Sequence, residues 1–136
     1  MEFELLLKVN FISTSIMVGV IWVIQLLHYP SFHFINDQNY IEFQQFHMQR
    51  ISFIVVPVML IEVASALLLA YFFGSSLTII LLALVLCIWG ITFIFFTNMH
   101  NKLTDGYDHS IVDKLVKINW SRTALWSLRL IILLSI

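Results

Sequence analysis

Long apolar runs separated by short polar breaks organise this chain. Residues 9–36 contain no Asp, Glu, Lys or Arg, and between Arg50 and Lys102 the one such residue is Glu62. A membrane-spanning helix needs about 20 mostly apolar residues, and the pattern predicts four, over about 7–29, 41–72, 77–99 and 111–135. The first should stop at Pro30, because a proline ring disrupts a helix interior. The second begins with an amphipathic stretch (Glu42, Gln44, Gln45, His47, Gln49, Arg50) that projects from the apolar layer, and Pro57 is a candidate kink. Gly74-Ser75-Ser76 reads as a tight turn, and residues 100–110 as a polar loop. The predicted fold is all-α: a single-domain integral membrane protein, built as an antiparallel four-helix bundle over residues 1–136.

That topology decides which polar residues can meet. Helix 1 ends, helix 2 starts, helix 3 ends and helix 4 starts on one side, here called side B. His28, His47, Arg50, His100, Asn119 and Arg122 are therefore expected near a single membrane face. Helical phase, about 100° per residue, agrees. It aligns Ile21, Gln25 and His28 on helix 1, and His47, Ile54, Val58, Glu62 and Ser65 on helix 2. It aligns Trp89, Phe93, Phe96 and His100 on helix 3, and Asn119, Arg122, Trp126 and Arg129 on helix 4. Four polar or aromatic stripes can close around one interior.

Composition fits a bilayer. The chain is 60% hydrophobic and only 11% charged, against about 25% charged in ordinary globular domains. A soluble domain of this size could not hide so much apolar surface. A net charge of −1 gives no attraction to nucleic acid. Cys87 is the single cysteine, so no intrachain disulfide forms. The start, Met-Glu-Phe-Glu, lacks the basic region of a signal peptide, so the first apolar segment is expected to be retained. Arg50, Lys102, Lys114, Lys117 and Arg122 fall towards side B, whereas side A offers Lys8. The positive-inside rule puts side B in the cytoplasm and both termini outside it, in a bacterial inner membrane.

Candidate chemistry starts from Glu62. A carboxylate at the bilayer centre costs at least about 2.5–3.5 kcal/mol, so it should face protein or water. Depth along the helices lets it meet Arg129, and paired charge in lipid is tolerable where a lone charge is not. Glu62, Arg122 and Asn119 are the catalytic candidates. His28, His47 and His100 are the candidate metal ligands, since imidazole suits copper, iron and zinc; a haem is the other cofactor considered. Gln25, Arg50, Trp126 and Arg129 are candidates for holding a cofactor or an anionic head group. Each has a plainer reading: His28 as a helix terminus, His47 and Arg50 as solvated rim, His100 as a loop residue, Glu62 as half of a structural ion pair. His33 and His109 read as ordinary loop histidines.

The motifs Gln25-Leu-Leu-His28-Tyr29-Pro30, His47-x-x-Arg50, Pro57-x-Met59-x-x-Glu62, His100-Asn101-Lys102-Leu103 and Asn119-Trp120-x-Arg122-Thr123-x-x-Trp126-x-x-Arg129 span nearly the whole chain. Together they resemble a family of small bacterial four-helix membrane proteins. That resemblance implies a fold and no particular activity. A looser similarity is to small four-helix membrane oxygenases acting on aromatic polyketides. The reading these features support is a metal- or ligand-dependent membrane enzyme of redox type, acting on a hydrophobic or quinone-like small molecule. The alternatives are a small proton-coupled transporter using Glu62, or an accessory subunit of a larger membrane complex. Expected partners are the lipid bilayer, a small hydrophobic ligand and, in an assembly, further copies or other subunits; no nucleic acid is expected.

Overall fold

The computed structural model describes residues 2–136. Among them the regular structure is helical throughout, with no strand. It forms four rods: α1 (Phe3–Phe34), α2 (Asp37–Phe73), α3 (Ser76–Leu103) and α4 (His109–Leu134). The ends follow from local chemistry. Asn36, Ser75 and Asp108 cap α2, α3 and α4, each accepting a hydrogen bond from a backbone N–H of the first turn, which satisfies donors that a helix start otherwise leaves open. Gly74 ends α2 at φ 51°, a left-handed conformation that favours glycine.

Two boundaries differ from the sequence expectation for the same reason. The rod α1 does not stop at Pro30 but continues to Phe34. A π-helical turn, Ile24–His28, precedes the proline. Pro30 then stands in the first turn of the segment that restarts after it, where a missing N–H costs little. The rod α3 likewise contains a π-helical turn, Thr92–Phe96, and runs on to Leu103. His100 is therefore a helical, buried residue rather than the start of a loop.

The helices pack in the cyclic order α1, α2, α3, α4, each mainly against two neighbours. One apolar core, Ile24, Tyr29, Phe32, Tyr40, Phe96, Met99, Leu103, Val112 and Leu115, fills the end where α1 gives way to α2. A second, Met17, Ile21, Met59, Ile88 and Trp126, fills the middle. The polar residues Asn10, Thr14, Gln25, Gln44, Glu62, Asn119, Arg122 and Arg129 are buried, while Leu27, Phe53, Ile94 and Ile131 are exposed. This is the reverse of a water-soluble domain, which rarely exposes large contiguous apolar patches.

By length and composition α1, α2 and α3 can cross a membrane. The fourth helix does not reach the same apolarity, because Asn119, Arg122 and Arg129 lie on it; all three face inward. On α2 the expected stripe shifts by a few residues: Ile54 is half-exposed, and Ile51 and Val55 pack against the cores instead.

Candidate functional site

Two polar clusters occupy the interior. The deeper one is built on Glu62 of α2. Its Oε1 accepts from Thr14 Oγ1 at 2.7 Å and from Arg129 Nε at 3.2 Å, and its Oε2 accepts from Trp126 Nε1 at 3.0 Å. Arg129 also donates through Nη1 to the Leu81 carbonyl, and through Nη2 to Asn10 Oδ1 at 3.1 Å and Thr14 Oγ1 at 3.4 Å. Asn10 Nδ2 donates to Ser65 Oγ at 2.8 Å and to the Glu62 carbonyl at 3.0 Å. Both charged side chains have zero exposure. The cluster thus ties all four helices together, and its charges are matched and hydrogen-bonded, as buried charges must be.

The second cluster lies nearer the α1–α2 corner. The π-helical turn of α1 carries Gln25 and His28, and that of α3 carries Thr92 and Phe96. Such turns occur often at functional sites because they re-aim side chains within an otherwise regular helix. His28 Nε2 lies 2.6 Å from His47 Nδ1. The His47 and His100 ring centres are 5.6 Å apart. His100 Nε2 lies 3.2 Å from the Tyr29 hydroxyl and its Nδ1 lies 3.0 Å from Gln44 Nε2.

Beside these rings sits Arg122. Its Nε and Nη2 donate to Asn119 Oδ1 at 3.0 and 2.8 Å, and its Nη1 reaches Thr92 Oγ1 at 3.4 Å. The guanidinium carbon stands 3.7 Å from the centre of the Phe96 ring. Asn119 in turn donates to Gln25 Oε1 at 2.9 Å. Arg122 is 6% exposed, and among the described residues it has no carboxylate partner.

A pocket of about 400 Å³ is bounded by this cluster. Half-exposed Val56 and Phe93 stand at its mouth, and Tyr29, His47, His100 and Arg122 line it further in. Trp89 also lines it, and its indole N–H is buried without a partner. A second pocket of about 420 Å³, lined by His28, Phe43, Phe46, His47 and Arg50, lies on the α1–α2 face. His47 borders both.

The expected residues therefore divide. Gln25, His28, His47, His100, Asn119 and Arg122 come together. Glu62, Trp126 and Arg129 form the deeper cluster, which borders neither pocket. Arg50 is exposed and lies against Phe46, outside the internal cluster. The expected metal set of His28, His47 and His100 is adjacent but is not arranged as a chelate, because its nitrogens face one another, Tyr29 and Gln44. The one His, Cys, Asp or Glu trio whose ligand atoms converge among the described residues is His33, His109 and Asp113, two of which read from sequence as plain loop histidines.

Sequence reasoning passed over Asn10, Thr14, Tyr29, Gln44, Trp89 and Thr92 as site residues. Asn10 and Thr14 carried a signal: an i, i+4 pair of polar side chains on one face of an otherwise apolar helix. Comparison of the chain with protein families, with characterised proteins and with solved structures found no match.

Proposed function

We propose that this chain is a membrane-spanning, antiparallel four-helix enzyme. It takes an apolar small molecule carrying an oxygen, such as a quinone, phenol or carboxylate, and moves a proton at that oxygen. The bilayer reading is supported by three long apolar helices and by apolar residues outside with polar residues within. The antiparallel reading is supported by the pairing of Asn10 with Ser65 at one end of α1 and α2, and of His28 with His47 at the other. Lys102, Lys114 and Lys117 favour a cytoplasmic side B in a bacterial inner membrane.

The observation that carries the function is Arg122. It is a buried cation with no anionic partner among the described residues, on the wall of an apolar pocket that also holds an unpartnered Trp89 N–H. Both groups donate hydrogen bonds, so the ligand must accept them. A guanidinium held in place by Asn119, Thr92 and Phe96 stabilises negative charge on a ligand oxygen without having to reorganise. His100, Tyr29 and His47 lie on the same wall, His100 within hydrogen-bond range of Tyr29, and His28, which lines the neighbouring pocket, is within hydrogen-bond range of His47. Paired in this way, they can take a proton from the ligand oxygen or return one. Proton transfer at oxygen is the step that quinone and phenol redox chemistry shares with tautomerisation, which leaves the redox reading standing. Glu62, closed in by Thr14, Trp126 and Arg129, is not open to the exchange that a proton-coupled carrier needs.

Titration of the protein in nanodiscs with an apolar quinone, a phenol and a fatty acid, followed by tryptophan emission, tests the reading. At least one should bind to the wild type, and Arg122→Gln should lose that binding. Equal binding by Arg122→Gln would contradict it.

A further inference from the structure

We infer that His33, His109 and Asp113 form a site for a divalent transition-metal ion of the zinc type, braced by Tyr107. The trio stands where the short 3-10 turn at the end of α1 meets the first turns of α4, outside the internal cluster. His109 and Asp113 are four residues apart on α4 and so share a face. His33 Nε2 lies 3.1 Å from one Asp113 carboxylate oxygen, and His109 Nε2 lies 3.4 Å from the other. Bonds of about 2.0–2.2 Å in tetrahedral geometry hold neighbouring ligands roughly 3.3–3.5 Å apart. Both separations are close to that value.

With both imidazoles neutral, the contacts of this site fall one proton short, a gap that a cation can fill. The Tyr107 hydroxyl lies 2.8 Å from His33 Nδ1 and 3.0 Å from His109 Nδ1. Both rings thus use Nδ1 on the same hydroxyl and Nε2 on the same carboxylate, which makes four contacts. A neutral imidazole carries one N–H, a tyrosine one O–H and an ionised carboxylate none. Three protons cannot fill four contacts. If both Nε2 atoms donate to Asp113, the hydroxyl can serve only one Nδ1. If both Nδ1 atoms donate to the hydroxyl, two imidazole lone pairs face a carboxylate. The mixed arrangement still leaves one lone pair against it.

A cation between the two Nε2 atoms and Asp113 removes the conflict. Both Nδ1–H groups then donate to the Tyr107 oxygen, which has two lone pairs. Both Nε2 atoms and the carboxylate become ligands. This matches the common arrangement in which a metal-bound imidazole is oriented through its other nitrogen. Two imidazoles and a carboxylate suit zinc, and three protein ligands leave a fourth position for water. The side chains of His109 and Asp113 are 71% and 59% exposed, and that of His33 is 23% exposed, so the ion can enter from solvent. Bound there, it would fasten the end of α1 to the start of α4 over the apolar core containing Phe32, Leu103 and Val112.

The untagged, chelator-stripped full chain, titrated calorimetrically with zinc ions, tests the inference. The wild type should bind one ion per chain and melt at a higher temperature with it. His109→Ala, at a largely exposed position, should keep the wild-type circular dichroism and lose the binding, and Asp113→Asn should do the same. Tyr107→Phe should keep the stoichiometry and weaken the affinity roughly 10–100-fold, as loss of an outer hydrogen bond does. His47→Ala should bind as the wild type does. No stoichiometric binding by the wild type, or binding that survives His109→Ala, would overturn the inference. So would binding lost in His47→Ala but kept in His109→Ala, which would put the ion in the internal cluster. A melting temperature that zinc leaves unchanged would likewise overturn it.

Discussion

Arg129 and Arg122 project from the same face of α4, about two turns apart, and are 0% and 6% exposed. Their surroundings differ in one respect. Arg129 donates to Glu62, Asn10, Thr14 and the Leu81 carbonyl, and its charge is cancelled. Arg122 donates to Asn119 and Thr92 and lies on Phe96; every one of these groups is neutral. The deeper cluster borders neither pocket, whereas the upper one borders both. A buried charge that is matched holds a structure together. A buried charge left unmatched at a pocket wall is, on the proposed reading, a binding determinant. The residue that stands out most in the sequence, Glu62, belongs to the first kind.

The largest effect expected from this contrast is in the deeper cluster. Glu62→Gln leaves Arg129 without its counter-charge, so the bundle should lose about 3–5 kcal/mol in a reversible denaturation experiment. The double variant Glu62→Leu, Arg129→Met should recover much of that, because well-packed apolar residues often replace a buried pair without net cost. A smaller effect, on binding rather than folding, belongs to the upper cluster. Arg122→Gln removes a charged hydrogen bond to the ligand, worth about 1.5–3 kcal/mol, or roughly ten- to a hundredfold in affinity; ligand titration in nanodiscs reads it. Tyr29→Phe deletes the hydroxyl beside His100 and should cost about 1 kcal/mol of stability, while slowing proton transfer to a bound quinone or phenol more than it weakens binding.

The smallest effect lies outside both clusters. Hydrogen bonds, first from the Ser110 hydroxyl and then from the Ile111 N–H, hold the Asp108 carboxyl below its usual range. Its contribution to the start of α4 is therefore complete above the ordinary carboxylate range and is lost as pH falls through the lowered value. Amide exchange at Ser110 and Ile111 should speed up at acid pH in the wild type, and should be pH-insensitive beyond the intrinsic rate in Asp108→Ala.

The sequence made the first three helices legible because charge is sparse in their apolar runs, and it made the inner face of α4 legible because Asn119, Arg122, Trp126 and Arg129 follow regular α-helical phase. The two π-helical turns were not legible. Nothing in Ile24–His28 or Thr92–Phe96 marks a wider turn, yet these turns carry α1 past Pro30 and keep His100 inside α3. Depth along the helices brought Arg129 within reach of Glu62 but left Arg122 as the other candidate partner; the structure pairs Glu62 with Arg129. The closure of Glu62 by Thr14 and Trp126 was not legible, because neutral side chains give no charge pattern to follow. His109 and Asp113 are four residues apart on α4, but His33 meets them only through the fold, so spacing alone could not join all three.

Stability of Arg129→Gln and Arg122→Gln, measured side by side under the same denaturation conditions without ligand, tests the contrast most directly. Arg129→Gln should lose several kcal/mol, about as much as Glu62→Gln. Arg122→Gln should lose little or gain, since it removes a buried charge that no anion offsets. Equal losses at the two positions would contradict the account, because Arg122 would then be as structural as Arg129.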